Sequence, residues 1–223
     1  MKFVRTLLAS AAVLTSFGAN ALVIGTLGGG GGLFATLSSP TLGVPGSGGA
    51  LSGLATATIV GGAVFAAGTS FAADVLPGEN FLAAGPSPGG FAPPNTATLT
   101  FDGAGVDYVS FLWGSPDTYN TLTVNSTGGD SQTFTATGTG FGVAFPVTNG
   151  DQTFSQSVEF SGIAGSQITS LVFTSTQDSF EVGRFSTFIP DAVTTPIPEP
   201  ETYGLLLAGL GALGFVSRRR KGR

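Results

Sequence analysis

From residue 96 to residue 186 the chain repeats one pattern, in which short stretches alternate apolar and polar residues and end at clusters of turn-forming residues. In "TATLTF" (residues 96–101) every second residue is apolar. In "VDYVSFLW" one face carries Val109, Phe111 and Trp113. A period of two indicates strands that bury one face. Such strands at intervals of about 8–15 residues predict an all-β domain, an antiparallel β-sandwich or jelly-roll-like fold, over residues 71–190.

The preceding segment, residues 22–70, has a different composition, dominated by Gly, Ala, Ser and Thr with scattered apolar residues. No helical face of period 3.6 can be drawn on it. This pattern predicts short strands and turns or a partly flexible stretch. We therefore place these residues apart from the sandwich domain.

Composition narrows the classes of function. Charged residues make up only 9% of the chain, against roughly 25% in ordinary soluble domains. The chain has no Cys and no His, so it lacks disulfides, thiolate chemistry and the commonest general base and zinc ligand. Between its two ends Arg184 is the only cation, which argues against binding of nucleic acid. We expect an exported, non-catalytic protein.

The N-terminus has the three parts of a signal peptide. Lys2 and Arg5 precede an apolar run over residues 7–17, and Ala19 and Ala21 fit the small-x-small cleavage rule. The alternative is a transmembrane helix, for which the run is short. We therefore expect residues 1–21 to form a signal helix that signal peptidase removes after Ala21.

The C-terminus combines an acidic-proline motif, an apolar run and a basic cluster. The motif is Pro198-Glu199-Pro200, and the cluster includes Arg218, Arg219 and Arg220. The uncharged run between them, residues 203–216, would form about 21 Å of helix, against a hydrocarbon core of roughly 30 Å. It predicts a short hydrophobic helix that associates with the inner membrane only transiently. The alternative is an ordinary tail helix with a basic flank.

This three-part arrangement resembles the PEP-CTERM sorting signal of Gram-negative bacteria. The resemblance implies that residues 198–223 are a sorting signal behind a linker at 191–197, and that exosortase, a membrane transpeptidase-like protease, cuts near the Pro-Glu-Pro motif. It also implies delivery to the cell surface or extracellular matrix. There the expected role is structural or adhesive, linked to exopolysaccharide or biofilm.

A second resemblance lies in the body of the chain. The stretch "YVSFLWGSPDTYNTLTV" (residues 108–124) and the stretch "DSFEVGRFS" resemble a recurring domain of exosortase-dependent surface proteins. In that domain a strand ends in a Trp-Gly-Ser turn, and a final strand reads roughly Phe-Glu-Val-Asp-Asn-Phe. Here Gly183-Arg184 replaces the Asp-Asn pair. The resemblance implies location and fold rather than an activity.

Aromatic residues around one turn suggest an alternative function, a carbohydrate-binding module. Trp113 and Tyr119 flank the turn and could stack on a sugar ring, while Asp117 and Asn120 could bind its hydroxyl groups. The competing interpretation is that both rings pack into the core.

Acidic residues raise two further hypotheses. Turn aspartates would suit calcium, but no D-x-[DN]-x-[DN]-G motif is present, so no metal site and no cofactor is predicted. A surface hydrolase would need Glu159 and Glu181 within roughly 5–10 Å of each other in one cleft.

The terminal motifs make a prediction about the released protein. Its intact mass should show loss of residues 1–21 and of the segment after about Pro200, because both ends are processing signals. Mass spectrometry of protein released from the cell surface tests this. Recovery of a full-length chain that ends at Arg223 would contradict the sorting prediction.

The Pro-Glu-Pro motif makes a separate prediction. Glu199→Ala should leave uncut precursor in the membrane fraction.

Overall fold

The computed structural model describes most of the chain between its two ends, namely residues 23–29, 33–44, 46–53, 56–66, 78–86, 95–177 and 179–187. These residues form strands, turns and loops without a helix, so the all-β prediction is confirmed. The predicted signal helix and C-terminal hydrophobic helix lie outside the described residues. Within the described part, none of the elements is a helix of the length and apolarity needed to cross a membrane.

The described residues contain thirteen strands. In chain order they are β1 (Val23–Leu27), β2 (Thr36–Ser38), β3 (Gly49–Ser52), β4 (Ala57–Gly61), β5 (Ala63–Phe65), β6 (Phe81–Ala84), β7 (Thr96–Phe101), β8 (Tyr108–Gly114), β9 (Asn120–Ser126), β10 (Ser131–Thr135), β11 (Ser155–Gly162), β12 (Ile168–Ser175) and β13 (Phe180–Ser186).

The strands pair into two antiparallel sheets, which confirms the predicted sandwich class. Sheet A has the order β1-β11-β8-β13-β6-β5, and sheet B has the order β10-β9-β12-β7-β4-β3-β2. All of the strand pairs within them are antiparallel. Neighbours in a sheet are mostly distant in sequence, so long-range pairing dominates the fold.

The described strands between residues 23 and 65 belong to the same two sheets as the later strands, so the boundary predicted at residue 70 does not set them apart from the sandwich. β1 forms one edge of sheet A and β5 the other, whereas β2, β3 and β4 complete sheet B. The burial pattern of β4 alternates as in the later strands. The strands β1 to β5 are only three to five residues long. In a glycine-rich segment, strands of this length are too short to produce a clear period in the sequence.

Phenylalanine side chains fill the space between the sheets. The ring of Phe111 on β8 lies 5.7 Å from Phe160, 5.5 Å from Phe173 and 5.5 Å from Phe185, measured between centroids. Phe173 belongs to sheet B and the other three to sheet A. Offset and edge-to-face contacts at these distances add to the free energy of burial. The apolar side chains that the alternating pattern of β8 and β12 predicts to be buried therefore meet in one core between the sheets.

Sheet A also buries part of its outer face. A second apolar cluster contains Ala63, Phe65, Phe81 and Ala83, with Leu112 packed against it. Phe65 and Phe81 stack with 5.5 Å between ring centroids. All four residues of β6 are consequently buried. This two-sided burial explains why β6 reads as a continuous apolar run, "FLAA", instead of an alternating one.

The inter-sheet core makes a prediction about stability. Phe111→Ala should lower the free energy of unfolding by about 3–5 kcal/mol, because it removes a fully buried ring and leaves a cavity. Chemical denaturation followed by circular dichroism measures the change. As a control, Val60→Ala alters a side chain that is 71% exposed and should change stability by about 0.5 kcal/mol or less. Equal losses in the two variants would contradict this description of the core.

Candidate functional site

Trp113 is a core residue in the structure. Its side chain has no exposed surface, and its ring stacks on Phe180 at 4.2 Å and meets Phe145 edge-on at 5.2 Å. A ring that stacks on a sugar must keep one face open to solvent, and the Trp113 ring does not. The prediction that Trp113 presents a stacking platform is therefore wrong, because the period of β8 turns residue 113 to the same side as Phe111.

The other residues of the predicted platform lie at the same end of the sandwich but mostly point inward. Asn120 has no exposed surface, and its Oδ1 accepts a hydrogen bond of 2.7 Å from the Ser175 hydroxyl. Asp117 is buried and Tyr119 half-buried. The main-chain N–H of Asn120 donates to the carbonyl of Asp117 at 3.3 Å and closes the turn. Asp117 thus stabilises the turn through its carbonyl, and Asn120 caps the end of the core through its side chain.

The same end of the molecule holds a buried carboxyl group that joins the two family-like stretches. Glu181 on β13 lies opposite Gly114, and Val182 lies opposite Trp113. The Ser115 hydroxyl donates to Oε2 of Glu181 at 2.8 Å. Ser115 itself adopts a left-handed backbone with φ of 35°, a conformation that non-glycine residues rarely take. The Trp-Gly-Ser turn and the Phe-Glu-Val strand are therefore one structural unit.

Burial controls the protonation of Glu181. Loss of solvent raises its pKa to about 8, and the hydrogen bond from Ser115 offsets this only in part. The negative charge of Asp117 raises the pKa further. Glu181 is consequently protonated at neutral pH and serves as a neutral hydrogen-bonding group. Sequence reasoning noticed the residue but could not see its burial, since a lone Glu between apolar neighbours also fits an exposed strand position.

Glu159 lies on the outer face of the same sheet, far from Glu181. On β8 the residue opposite Glu159 is Ser110, four positions from Gly114, which is opposite Glu181. Four residues correspond to about 13 Å along the strand direction. Perpendicular to it, β11 and β13 lie on opposite sides of β8, two strand spacings of about 4.8 Å apart. The Glu159 carboxylate also turns toward β1, where Oε1 accepts from the Thr26 hydroxyl at 2.8 Å.

The second oxygen of Glu159, Oε2, accepts a 2.9 Å hydrogen bond from the Tyr108 hydroxyl. Each of the two glutamates is thus held by its own partners in a separate part of sheet A. The structure does not bring them into one cleft, which the hydrolase hypothesis required.

The turn aspartates do not form a metal centre. Among the residues that the structure describes, no three His, Cys, Asp or Glu side chains are grouped to hold an ion. Asp151 shows the local role of such a residue, because its Oδ1 accepts from the Thr153 main-chain N–H at 2.8 Å and from the Thr153 hydroxyl at 2.7 Å. These two bonds lower the pKa of Asp151. Asp151 is therefore a turn-stabilising carboxylate.

A groove of about 350 Å³ lies at the seam between the two sheets. Its wall from sheet B is the stretch that leads into β2, residues 34–37, and its wall from sheet A includes Arg184 on β13. Residues 78–80 complete the lining. The groove therefore combines aromatic, amide and oppositely charged groups, the mixture of apolar lining and a few polar groups that is typical of small-ligand sites.

Sequence reasoning did not find this groove. Phe34, Glu79 and Arg184 are far apart in the chain, and only Arg184 lies in a family-like stretch, "DSFEVGRFS", where it departs from the expected pattern. One signal was present in the sequence, since Arg184 is the only cation between the two terminal regions. Its partners could be identified only after the strands were placed.

The fold thus defines an all-β sandwich protein, and a comparison with known families identifies a motif at its C-terminus. Residues 196–221 match the family described as the PEP-CTERM protein-sorting motif. The match confirms the predicted resemblance, and the chain is a PEP-CTERM sorting domain-containing protein. The motif implies exosortase as the processing partner, with export and localisation at the cell surface. Neither the curated proteins nor the solved structures contain a match to the chain.

The residues predicted to take part in processing lie outside the described residues. At the N-terminus these are Ala19 and Ala21, and at the C-terminus they are Pro198, Glu199, Pro200, Arg218, Arg219 and Arg220. The family match covers the C-terminal group. The cleavage point after Ala21 stays a prediction.

The buried Glu181 predicts a dependence of stability on pH. In the folded protein this carboxyl keeps its proton up to about pH 8, whereas its ordinary pKa is 4.5. Between these values the folded state binds more protons than the unfolded state, so stability falls as pH rises, with a slope of up to about 1.4 kcal/mol per pH unit. Glu181→Gln should remove that slope, because the amide stays neutral.

Thermal melting of the Glu181→Gln variant and the unmodified protein from pH 5 to pH 8 tests this expectation. The two melting temperatures should diverge as pH rises, in favour of the variant. Asp102→Asn, at an exposed turn, serves as a matched control and should leave the pH profile unchanged. A parallel profile for Glu181→Gln and the unmodified protein would show that Glu181 is not the group responsible.

Proposed function

We propose that the mature protein is a non-catalytic structural or adhesive component of a Gram-negative cell surface, held in exopolysaccharide or biofilm. Signal peptidase would remove the N-terminal segment, and exosortase would remove the sorting signal after a transient passage through the inner membrane. The sorting motif supports the delivery part of this proposal. The support for a matrix contact comes from the outer face of sheet B.

That face carries rows of mostly hydroxyl-bearing side chains at matched positions on neighbouring strands. One row crosses from β10 to β4 in the order Ser131, Asn125, Ser170, Thr100 and Thr58. The next two rows contain Thr133, Thr123, Val172, Thr98 and Val60, and then Thr135, Thr121, Thr174 and Thr96. We call these three rows the hydroxyl face.

Hydrogen bonds between neighbouring strands fix some of the side chains in the first and third rows of the hydroxyl face. The Ser131 hydroxyl donates to Oδ1 of Asn125 at 2.6 Å, and Nδ2 of Asn125 donates to the Ser170 hydroxyl at 2.8 Å. The hydroxyls of Thr96 and Thr174 lie 3.3 Å apart. Within a row the side chains repeat at the strand spacing of about 4.8 Å, and successive rows are about 6.7 Å apart.

An uncharged polysaccharide is the partner whose chemistry suits this face. None of the side chains in the three rows is charged, so the face neither attracts nor repels a polyanion. Each Ser or Thr hydroxyl both donates and accepts hydrogen bonds, as sugar hydroxyls do. Val60, which is 71% exposed, adds apolar surface for the C–H groups of a sugar ring. The single observation that carries the proposal is this extended and uncharged hydroxyl face.

Charged substitutions on the face test the proposal. Thr98→Lys and Thr123→Lys should each lower retention of the protein in purified exopolysaccharide several-fold, because a bulky cation interrupts the rows. Cosedimentation of the protein with the exopolysaccharide provides the measurement. Thr98→Glu and Thr123→Glu should have the same effect if the polysaccharide is uncharged.

Val143→Lys is the matched control, since Val143 is 54% exposed and lies outside the three rows. It should leave retention unchanged. Full retention of all four face variants, with unchanged melting temperatures, would remove the hydroxyl face as the contact surface.

A further inference from the structure

The seam groove has two walls that main-chain and side-chain hydrogen bonds hold together. The main-chain N–H of Ala35 donates to the carbonyl of Phe185 at 2.7 Å and joins the β2 side to β13. Nδ2 of Asn80 donates to the carbonyl of Leu37 at 2.9 Å and joins residues 78–80 to β2. The groove is therefore lined by fixed backbone, which favours a preformed site.

A backbone irregularity directs Arg184 into the groove. The pairing of β13 with β8 shifts register between Gly183 and Ser186. At this shift Arg184 takes a φ of 55°, in the left-handed region that residues with a Cβ rarely occupy. Bulges of this kind re-aim side chains and are common beside binding sites, and strained backbone concentrates at such sites. Here the effect is to place the only cation of the described residues at the seam.

The contacts of Arg184 leave part of its hydrogen-bonding capacity available. Its guanidinium carbon lies 5.5 Å from the centroid of the Phe34 ring. Its Nε is 3.7 Å from Oε1 of Glu79, beyond the length of a hydrogen bond, and this buried nitrogen has no hydrogen-bond partner. The side chains of Arg184 and Glu79 are 38% and 39% exposed. Nε itself is enclosed and cannot reach a ligand, so the groups offered to the groove are those on the exposed parts of the Arg184 and Glu79 side chains, which no tight salt bridge closes.

From this geometry we propose that the seam groove binds an uncharged saccharide unit, with Arg184 and Glu79 on its hydroxyl groups and Phe34 against its C–H groups. The opposite charges of Arg184 and Glu79 cancel, so a neutral ligand with hydroxyl groups fits better than an anion, which Glu79 would repel. A volume of about 350 Å³ suits a small ligand, because pockets for drug-sized ligands begin at roughly 300 Å³. This inference rests on the proposed polysaccharide contact and assigns it a second, more selective site.

Binding to an array of neutral and uronic-acid-containing oligosaccharides tests the site, with the full chain held in mild detergent. We expect binding to at least one neutral oligosaccharide. Phe34→Ala and Arg184→Gln should each weaken it about tenfold or more, since one removes the apolar wall and the other the charged donors. Arg184→Lys should weaken it less, because it keeps the charge but loses the planar fork.

Leu33→Ala is the matched control, since Leu33 precedes Phe34, is 63% exposed and does not line the groove. Its affinity should equal that of the unmodified protein. Melting temperatures of all variants separate loss of binding from loss of fold. Binding only to uronic-acid-containing sugars, or equal binding by Phe34→Ala and Leu33→Ala with the fold intact, would overturn the assignment.

The hydroxyl-face variant Thr123→Lys distinguishes this inference from the proposed function. If Thr123→Lys abolishes oligosaccharide binding and the groove variants do not, the groove proposal fails and the proposed function stands. If the groove variants alone lose oligosaccharide binding, the groove is supported whatever the result of cosedimentation. If the unmodified protein binds neither oligosaccharide nor exopolysaccharide, both proposals fail.

Discussion

The packing of aromatic rings between the two sheets is the interaction on which the rest of the structure depends. Phe111 contacts Phe173 across the sandwich, and Phe134 on β10 meets Phe160 on β11 at 4.8 Å between centroids. The chain has neither cysteine nor a metal site among the described residues to brace it, so burial of apolar surface has to supply the stability. The short edge strands, the strained turn at Ser115 and the bulge at Arg184 are tolerated because this core holds the sheets.

Polar groups are placed in relation to that core in two different ways. Glu181 is enclosed at one end, where burial keeps it protonated and the Ser115 hydroxyl satisfies one of its oxygens. The hydroxyl face instead spreads its polar groups over the outer side of sheet B without any charge. The first arrangement ties two strands together, whereas the second leaves a broad surface open to a partner. A surface-sorted protein with few charges can thus be stable and still present an interactive face.

Particular elements show how far sequence reasoning reached. β7 and most of β12 alternate between buried and half-buried or exposed residues, and a period of two predicts them because one face is buried. Six of the seven residues of β8 are buried, yet every second side chain, at Val109, Phe111 and Trp113, enters the predicted core. The short strands β2, β3 and β5 were not placed in the sandwich, since three or four residues carry no period and glycine gives no side-chain signal. The sequence is compatible with Trp113 either as a sugar-stacking ring or as a core residue. Its stacking on Phe180 in the structure decides for the core.

The sequence by itself determined the all-β class and the sorting motif of the protein, because both depend on local patterns. These are the alternation of residues within a strand and a linear motif at residues 196–221. Tertiary structure alone decided that Trp113 is buried, that Glu181 is protonated and that Glu159 lies apart from it. It also decided that Phe34, Glu79 and Arg184 line one groove at the seam. These properties depend on which strands become neighbours and on how much solvent reaches each group, and in an antiparallel sandwich the neighbours are mostly distant in sequence.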